Sequence, residues 1–398
     1  MIKVAIVYPT DPLGAIPGGT DSVIRDIIRC APADIRMQVV GVTTDSAWRP
    51  VGKWTRCELN EAEFDFYPLL AVDDLTKQSR IPLSMRFVIR SIFENPFKNV
   101  DVIHFHRIEP VLPLVFSAAP KILTLHQNMN VLHNSSSDIR WKYFPWAYFF
   151  LERILVRWID EIYIVREDAV LDYRKRFPEK KEAINFFPTW MNPDLFYFPD
   201  QKEKLRLKKI LMDRYDWCPD DPLMLFVGRL DQQKDPGLLL SAMAELVKKV
   251  SQARLILVGE GVLRGELERM IVEHGLERNV KIFGVVAQER VAEMLRSTDL
   301  LLLSSAYEGM PLCVVEALGS GVPVVSTNVG EVSRLVTSGV NGSLVESRDP
   351  REFSAAILSV LQNIDRLRGA PCVDSVRAFQ AKTVLSDLYQ KYRQHAAR

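Results

Sequence analysis

Short apolar runs alternate with longer amphipathic stretches along almost the whole chain, and this alternation constrains the fold more than any other feature of the sequence. Such a pattern is typical of βα units on a mostly parallel sheet, which indicates an α/β protein. In the first half, the apolar runs predict strands at residues 3–8, 38–42, 101–105, 121–125 and 161–165. In the second half, they predict strands at residues 224–228, 254–258, 280–283, 300–304, 322–326 and 343–345.

A proline-rich segment, FPTWMNPDLFYFPD, separates the two halves. Each proline fixes its own φ and biases the preceding residue away from helix, so the segment suits a linker. We predict one domain over residues 1–199 and a second over residues 200–375, both doubly wound. Val384, Leu388 and Tyr392 recur at helical spacing, which predicts a closing amphipathic helix within residues 376–398. Two such domains facing each other would gather the carboxyl ends of both sheets around one cleft, so function is expected in loops after strands.

The composition narrows the classes of protein. The 398 residues include 51 Lys and Arg against 50 Asp and Glu, so a net charge of +1 offers no broad surface for nucleic acid. The five cysteines are scattered and never spaced as C-x-x-C, which favours a reducing compartment over a disulfide framework or a zinc cluster. The opening run MIKVAIVYPT indicates a first strand rather than a signal peptide, and no window approaches the roughly 18 apolar residues of a membrane-spanning helix. We expect a cytoplasmic protein that is not integral to a membrane.

The common phosphate and metal motifs are absent from the sequence. VGEGVLRG has glycines at 259, 261 and 265, but the dinucleotide fingerprint needs a glycine where Arg264 stands. The chain has no P-loop pattern, and no Asp-x-Asp pair to hold a divalent ion on a nucleoside diphosphate. His104 and His106 share one face of a strand, where buried, hydrogen-bonded histidines are favoured over a metal site without further ligands. No cofactor and no metal are expected.

The first informative segment is FVGRLDQQKDP. A strand is predicted to end at Gly228, and Arg229 and Lys234 lie in the loop that follows. Asp235 and Pro236 then suit the N-cap and the first residue of a helix. A guanidinium and an ammonium group beside a helix N-terminus can bind an anion, although two surface charges alone would show the same pattern.

The second segment is SSAYEGMPLCVVEALGSGVPVVST, in which Glu308 and Glu316 are eight residues apart. Pro311 suits a helix start, so Glu308 would precede the helix and Glu316 would lie about one turn inside it. Both carboxylates could accept hydrogen bonds from sugar hydroxyl groups, while the amides of Gly309 to Leu312 point toward a phosphate. Taken alone, a glutamate at a helix N-terminus more often only offsets the helix dipole.

The third segment is PGGTDSV after the first predicted strand, where Gly18 and Gly19 would let the backbone approach a ligand closely. In isolation it fits a plain loop. The combination is more telling than its parts. A glycine pair, then an Arg and a Lys, then two glutamates, each after a strand and in this order, are improbable as chance matches.

With these segments the sequence resembles the GT-B glycosyltransferases of the retaining family 4 type. The resemblance is strong over residues 223–353, through GRLDQQKDP, LILVGEG, VKIFGVV, SSAYEGMPLCVVEALGSGVPVVSTNVGE and NGSLVESRDP. It is weaker in GAIPGGTDSVIRDI, DVIHFH and TLHQN. It implies two Rossmann-like domains that face each other across a cleft, with a C-terminal helix returning to the N-terminal domain. It also implies transfer of a sugar from a UDP-, GDP- or ADP-sugar to a hydroxyl group of a glycan or lipid-linked acceptor.

The resemblance assigns roles to residues of this sequence. Arg229 and Lys234 match the pair that neutralises the donor diphosphate and stabilises the leaving group. Glu308 matches the glutamate that contacts the donor sugar near the reacting centre. Glu316 matches the glutamate that holds the ribose hydroxyl groups. His126 matches a histidine of the N-terminal domain that faces the donor sugar.

Other positions match backbone that lies against the donor. They comprise the glycine-rich loop, the strand ends that approach the diphosphate and the base, and the segment before the helix of Glu316: Gly18, Gly19, Gly228, Gly284, Val285, Gly309, Met310, Pro311 and Leu312. His104 and His106 match a less regular histidine segment and rank lower. Two departures stand out. TWMNPDLF lacks the glycine of the usual Asn-Gly-Val-Asp, and Val329-Gly330-Glu331 lacks one glycine of the usual pair.

The resemblance favours attack on the same face of the sugar from which the diphosphate leaves, with the leaving phosphate helping to remove the acceptor proton. Glu308 is then not a nucleophile, and Arg229 and Lys234 replace a metal ion. Two alternatives remain. The chain could be a non-catalytic GT-B subunit that binds nucleotide or a partner enzyme, although the two cations and two glutamates count against it. It could also be a GT-B epimerase of nucleotide sugars, which needs no acceptor.

The segment over residues 139–158, IRWKYFPWAYFFLERILVRW, interleaves basic and aromatic residues. It suits either a helix at a bilayer interface or a core helix whose cations reach solvent, and the two interpretations are about equal. If the first holds, the acceptor is expected to be a lipid or lipid-linked glycan in envelope polysaccharide or lipopolysaccharide assembly. The protein would then bind peripherally to the inner face of the cell membrane.

Overall fold

The structure is a computed structural model that describes residues 1–14, 19–73, 81–94, 96–97, 99–126 and 145–397. The strands, in chain order, are β1 Ile2–Val7, β2 Ile35–Thr43, β3 Thr55–Leu59, β4 Ala62–Ala71, β5 Val102–Phe105, β6 Lys121–Leu125, β7 Glu161–Ile164, β8 Ile184–Phe186, β9 Leu223–Val227, β10 Arg254–Val258, β11 Val280–Gly284, β12 Leu300–Leu303, β13 Val324–Thr327 and β14 Gly342–Val345.

The helices, in chain order, are α1 Gly19–Arg29, α2 Leu83–Phe93, α3 Pro145–Leu155, α4 Glu167–Arg176, α5 Gln201–Asp213, α6 Pro236–Leu246, α7 Arg264–Glu273, α8 Gln288–Ser297, α9 Leu312–Gly319, α10 Val332–Leu335, α11 Pro350–Gln362, α12 Ile364–Leu367, α13 Ala370–Ser375 and α14 Ala381–Ala396. Short 3₁₀ helices cover Glu109–Leu114, Val156–Trp158, Pro178–Ala183 and Arg377–Phe379. Within the described ranges, no helix is long and apolar enough to cross a membrane.

The chain forms two compact units. Unit 1 comprises Met1–Pro188 and Ala381–Arg398, and unit 2 comprises Thr189–Gln380. The sequence had suggested divisions after residues 199 and 375. The segment after Pro188 lies with unit 2 because Trp190 and Met191 are buried there and the Met191 amide donates to the carbonyl of Phe379.

Unit 1 is built on one sheet with the strand order β3-β4-β2-β1-β5-β6-β7-β8. Its strand pairs are parallel except for β3 and β4, which are antiparallel. β5 and β6 are buried along their whole length, as expected for parallel strands covered on both faces. The last helix, α14, packs against β1 and β5, and Val384, Leu388 and Tyr392 are buried as predicted.

Unit 2 is built on a second, parallel sheet with the strand order β11-β10-β9-β12-β13-β14. Every residue of β12, the sequence Leu-Leu-Leu-Leu, is fully buried between β9 and β13. Every strand predicted from the sequence is present in one of the two sheets, with ends that differ by at most three residues. The predicted α/β class with two Rossmann-like sheets is confirmed. Strands β3, β4 and β8 were not predicted.

Candidate functional site

Three glycines bring adjacent strand ends of unit 2 into close contact. Gly228 follows β9, Gly259 follows β10 and Gly284 ends β11. The Gly259 amide donates to the carbonyl of Gly284 at 2.9 Å. Gly259 has φ +149°, and a Cβ added there would lie 1.8 Å from the carbonyl oxygen of Gly228. This part of the sheet edge is therefore formed by glycine backbone, and only a glycine at position 259 allows the chain to come this close to Gly228.

Lys234 and Glu308 form an ion pair at the same edge. Nζ of Lys234 lies 2.5 Å from Oε1 of Glu308, and the hydroxyl group of Ser305 donates to the same oxygen at 2.6 Å. Burial lowers the pKa of Lys234, but the Glu308 carboxylate outweighs it, so the pKa of Lys234 is raised and the ammonium form is held. The predicted residues meet as charged partners, while the contribution of Ser305 was not foreseen.

Arg229 extends from the same loop toward solvent. Its guanidinium pairs with the buried carboxylate of Asp231 at 2.7 Å and donates to Oε1 of Gln233 at 2.9 Å, while 59% of its side chain stays exposed. The second oxygen of Asp231 accepts the amide of Lys234 at 3.0 Å. Asp231 therefore holds both the guanidinium group of Arg229 and the turn that carries Lys234.

Hydrogen bonds join the loop after β9 to the loop after β12. Ser304 donates from its hydroxyl group to the carbonyls of Lys234 and Asp235, and the amide of Ala306 donates to the carbonyl of Gln233. Thr327 donates to the carbonyl of Ser305 at 2.8 Å. These hydrogen bonds fix the position of the loop that carries Lys234 relative to the loop that carries Glu308.

The segment before α9 is closely packed. The carbonyl of Gly309 accepts the amide of Glu331 at 2.9 Å. Gly330 has φ +56°, and a Cβ added there would lie 2.2 Å from the carbonyl oxygen of Gly309. The sequence predicts a helix start at Pro311. In the structure, Pro311 is the N-cap, because its ψ of 119° is not helical, and α9 begins at Leu312.

Met310 contributes packing. Its side chain is buried, and its carbonyl accepts the hydroxyl group of Thr189 at 3.0 Å. By contrast, Val285 is 40% exposed directly after the left-handed Gly284, which has φ +84°. Of these two predicted donor-binding residues, only Val285 presents a side chain to solvent.

Glu316 lies one turn inside α9, as predicted, and is buried. Its Oε1 accepts the side-chain amide of Gln288 at 3.2 Å, at the first residue of α8. The two glutamates therefore have different partners, Glu308 a cation and Glu316 an amide. In the helix start AQER, no signal distinguished Gln288 from an ordinary surface residue.

The histidines predicted in unit 1 form two hydrogen-bonded sets. His104 lies on β5 between the hydroxyl groups of Thr124 and Tyr392, at 2.8 and 2.6 Å. Nδ1 of His106 lies 2.8 Å from Nε2 of His126, with the rings stacked 5.1 Å apart. The interpretation of His104 as a buried, hydrogen-bonded histidine is confirmed.

Burial keeps these imidazoles neutral. It lowers the pKa of His104 to about 3 and that of His126 to about 4, and it lowers the pKa of His106 well below the ordinary value. Among the described residues, Nε2 of His106 is buried without a hydrogen-bond partner. Gly19 begins α1 with open space at its Cβ position, while Gly18 lies outside the described residues.

No metal site is evident in the part of the chain that the structure describes. There, no group of three or more His, Cys, Asp or Glu side chains is arranged to hold a metal ion. The metal independence expected from the sequence stays a prediction.

Comparison with known proteins finds a family match over part of the chain and a similar fold over all of it. Residues 208–368 match the family described as Glycosyl transferases group 1. The D-inositol 3-phosphate glycosyltransferase of Segniliparus rotundus is 32% identical over 181 residues, which cover 44% of this chain and 40% of the relative. The chain thus matches less than half the length of this curated relative.

The fold similarity extends over the whole chain. The sucrose-phosphate synthase of Thermosynechococcus elongatus has a TM-score of 0.82 at 21% identity, with 100% of both chains covered. The HepE protein of Anabaena, solved in complex with UDP and glucose, has a TM-score of 0.74 at 16% identity, with 99% of this chain and 100% of that chain covered. These similarities show the GT-B fold, with two Rossmann-like units.

Proposed function

We propose that the protein is a retaining glycosyltransferase of the family 4 type, which moves a sugar from a nucleoside diphosphate sugar to a hydroxyl group of a glycan or lipid-linked acceptor. The observation that carries this proposal is the buried pair of Lys234 and Glu308 beside Arg229, at the carboxyl edge of a parallel sheet. Ligands of doubly wound folds bind at that edge. The group 1 match covers all three residues.

Unit 2 supplies the groups that a nucleoside diphosphate sugar needs. The exposed guanidinium of Arg229 and the ammonium of Lys234 would bind the diphosphate, with the start of α9 adding backbone donors. The buried carboxylate of Glu316 would accept hydrogen bonds from ribose hydroxyl groups. Backbone at Gly284 and Val285 would face the base. The HepE complex, which contains UDP and glucose, supports a donor of this chemistry.

In the proposed reaction, the bond between the anomeric carbon and the diphosphate oxygen breaks, and a bond to the acceptor oxygen forms on the same face. The acceptor proton passes to the departing phosphate. Arg229 and Lys234 stabilise the charge that develops on the leaving group, so the step needs no metal ion. One such donor contributes about 3 kcal/mol, or a hundredfold or more in rate.

Glu308 is assigned to the sugar rather than to covalent catalysis. Its Oε1 already accepts hydrogen bonds from Lys234 and Ser305, which stabilises the carboxylate and weakens it as a nucleophile. We expect it to hold a hydroxyl group of the donor sugar. His126 in unit 1 is assigned a contact with the donor sugar, on the resemblance of TLHQN alone.

The acceptor and the location of the protein are part of the proposal. A lipid-linked glycan in envelope polysaccharide or lipopolysaccharide assembly would require a cytoplasmic protein that works at the inner face of the cell membrane. Of the segment that suggested this, residues 139–144 lie outside the described residues, while residues 145–158 form α3 and the 3₁₀ helix after it.

The proposal can be tested with the purified full chain and a panel of UDP-, GDP- and ADP-sugars. One donor should raise the melting temperature in proportion to the logarithm of its saturation, and release of the nucleoside diphosphate should depend on added acceptor. Lys234→Ala and Glu308→Gln should lose release at least about a hundredfold, whereas Lys248→Ala in the exposed turn after α6 should retain it.

Each alternative predicts a different result. A non-catalytic subunit would bind nucleotide without turnover, and an epimerase would convert the donor without an acceptor. A trapped covalent sugar on Glu308 would contradict the proposed mechanism, and near wild-type transfer by Lys234→Ala would contradict the site assignment.

A further inference from the structure

Helix α2 of unit 1 carries its apolar stripe on the outside. Met85, Ile89, Ile92 and Phe93 recur at helical spacing and are 58%, 48%, 58% and 79% exposed. The opposite face, with Phe87 and Ser91, is buried against the unit. In a soluble helix the apolar stripe normally faces the core. On α2, the apolar stripe instead lies in solvent.

Contacts through the 3₁₀ helix Glu109–Leu114 and Phe116 link α2 to the end of α3. α2 packs against the 3₁₀ helix Glu109–Leu114. Just beyond that helix, the ring of Phe116 packs edge-on against the ring of Trp158, with ring centroids 5.8 Å apart. Trp158 ends the 3₁₀ helix that follows α3. We call this surface the α2–α3 face, and its exposed apolar residues are Met85, Ile89, Ile92, Phe93, Leu112, Phe116, Trp146, Phe150, Ile154 and Trp158.

The charges carried by α2 and α3 on this face are mainly arginines, although Arg90 pairs with Glu94 just after α2 at 2.5 Å. α2 contains Arg86 and Arg90 and no acidic residue. Residues 145–158 contain Arg153 and Arg157, both exposed, and their single acidic residue is Glu152, which is 1% exposed. Glu152 is used inside the unit, where Tyr173 and Arg176 bind its carboxylate. The outer surface of both helices therefore combines apolar side chains with arginines.

We propose that the α2–α3 face docks on a bilayer that contains anionic phospholipids, with α2 and α3 lying in the plane of the interface. Apolar side chains enter the boundary between headgroups and acyl chains, tryptophan rings suit the headgroup level, and arginines bind lipid phosphates. A second copy of the chain fits less well. A two-fold contact through this face would bring arginines of one copy toward those of the other.

The docking is independent of the proposed chemistry, since it needs neither donor nor acceptor. It would nevertheless carry the unit to the surface where a lipid-linked acceptor is found. The test therefore measures binding of the full chain to vesicles by flotation, without nucleotide sugar. Mixed phosphatidylcholine–phosphatidylglycerol vesicles should bind the protein, and pure phosphatidylcholine vesicles should bind it much less.

Matched variants distinguish binding through the α2–α3 face from nonspecific adsorption to vesicles. Ile89→Glu and Phe150→Glu should each lower the partition coefficient about tenfold or more, because a carboxylate would have to enter the interface. Val272→Glu on α7, which is 63% exposed in unit 2, is the matched control and should bind like wild type. Arg153→Gln and Arg157→Gln should each weaken binding to anionic vesicles about fivefold, and Arg269→Gln on α7 should not.

Three outcomes would overturn the inference. The wild-type chain could stay in the soluble fraction with both vesicle types. The Ile89→Glu and Val272→Glu variants could bind equally well while circular dichroism shows both folded. Finally, the wild-type chain could be a dimer without lipid that Ile89→Glu converts to a monomer, which would assign the face to a second copy.

Discussion

The ammonium group of Lys234 lies 2.5 Å from Oε1 of Glu308, and the two side chains are only 16% and 7% exposed. The site that is proposed to receive a diphosphate therefore already contains a neutralised cation. Although burial lowers the pKa of Lys234, the Glu308 carboxylate raises it and holds the ammonium form. Single and double replacements of Lys234 and Glu308 should therefore show which part of their effect is on stability and which is on turnover.

Replacing Lys234 by Met should destabilise the fold by about 3 kcal/mol, because Glu308 is left as a buried charge with fewer partners. Glu308→Gln should cost less, since the amide oxygen can still accept from Ser305 and Lys234. The double variant Lys234→Met/Glu308→Gln should be more stable than the sum of the single losses predicts. Urea denaturation measures all three free energies of unfolding. Additive losses in the free energy of unfolding would show that the pair is not coupled. Even if the double variant regains stability, it should not regain sugar transfer.

Gly330→Ala should weaken donor binding through the loop that carries Glu308. The new Cβ would lie 2.2 Å from the carbonyl oxygen of Gly309, so this loop must move. Gly339→Ala is the matched control, because Gly339 also has positive φ but has no atom within 4 Å of a Cβ. Both variants should lose about 1–2 kcal/mol from left-handed backbone, and only Gly330→Ala should also raise the donor Kd. Equal donor Kd values would contradict the prediction.

The free energy of unfolding should fall as the pH drops below about 6.5. Burial lowers the pKa of His104 to about 3 from 6.5, so the unfolded chain takes up a proton before the folded chain does. The contribution is complete above pH 6.5 and is lost progressively toward pH 3, with a slope of up to about 1.4 kcal/mol per pH unit. Urea titrations between pH 5 and 7 should show a smaller slope for His104→Gln than for wild type.

Gly339→Ala provides the control for this measurement, because it strains left-handed backbone at φ +78° without replacing a titratable side chain. Its slope of unfolding free energy against pH should equal that of wild type. A slope that falls equally in both variants would mean that the imidazole of His104 is not responsible.

His106 should select the tautomer of His126. If His126 donated from Nε2, then Nε2 of His106 would carry a proton, and in the described part of the chain that buried atom has no partner. Orphaned buried N–H groups are rare, so Nδ1–H of His106 is expected to donate to Nε2 of His126, which leaves the proton of His126 on Nδ1. Nitrogen NMR of labelled imidazoles should show the Nδ1–H form of His126 in wild type. A mixture of both tautomers in His106→Phe would support the positioning role, and an unchanged tautomer would refute it.

The strands that the sequence did not predict lie at or next to the edges of the sheet of unit 1. β3 alternates exposed and half-buried residues, and β4 contains Pro68 beside an irregularity in its register with β2. β8 has only three residues. Apolar runs mark strands that are buried on both faces, so β9 and β12 were evident, whereas an edge hairpin with polar residues carries little of that signal.

The candidate site shows the same division. Arg229, Lys234 and Glu308 were predicted because charged residues after apolar strands are conspicuous. Ser305 was not, because only the fold shows which of two adjacent serines reaches the carboxylate. The outward stripe of α2 was missed for a related reason. Its spacing equals that of a core-facing stripe, and only the packed unit shows which face is covered.

The hydrogen bond between His104 and Tyr392 spans 288 residues of sequence, and all of unit 2 lies between the two parts of unit 1. During synthesis, the strand that carries His104 leaves the ribosome long before the helix that carries Tyr392. Until that helix arrives, the face of β1 and β5 that it covers must stay open to solvent or to a chaperone. A nascent chain that stalls inside unit 2 would therefore display unfinished unit 1 surface to the quality-control machinery, even where unit 2 has begun to fold.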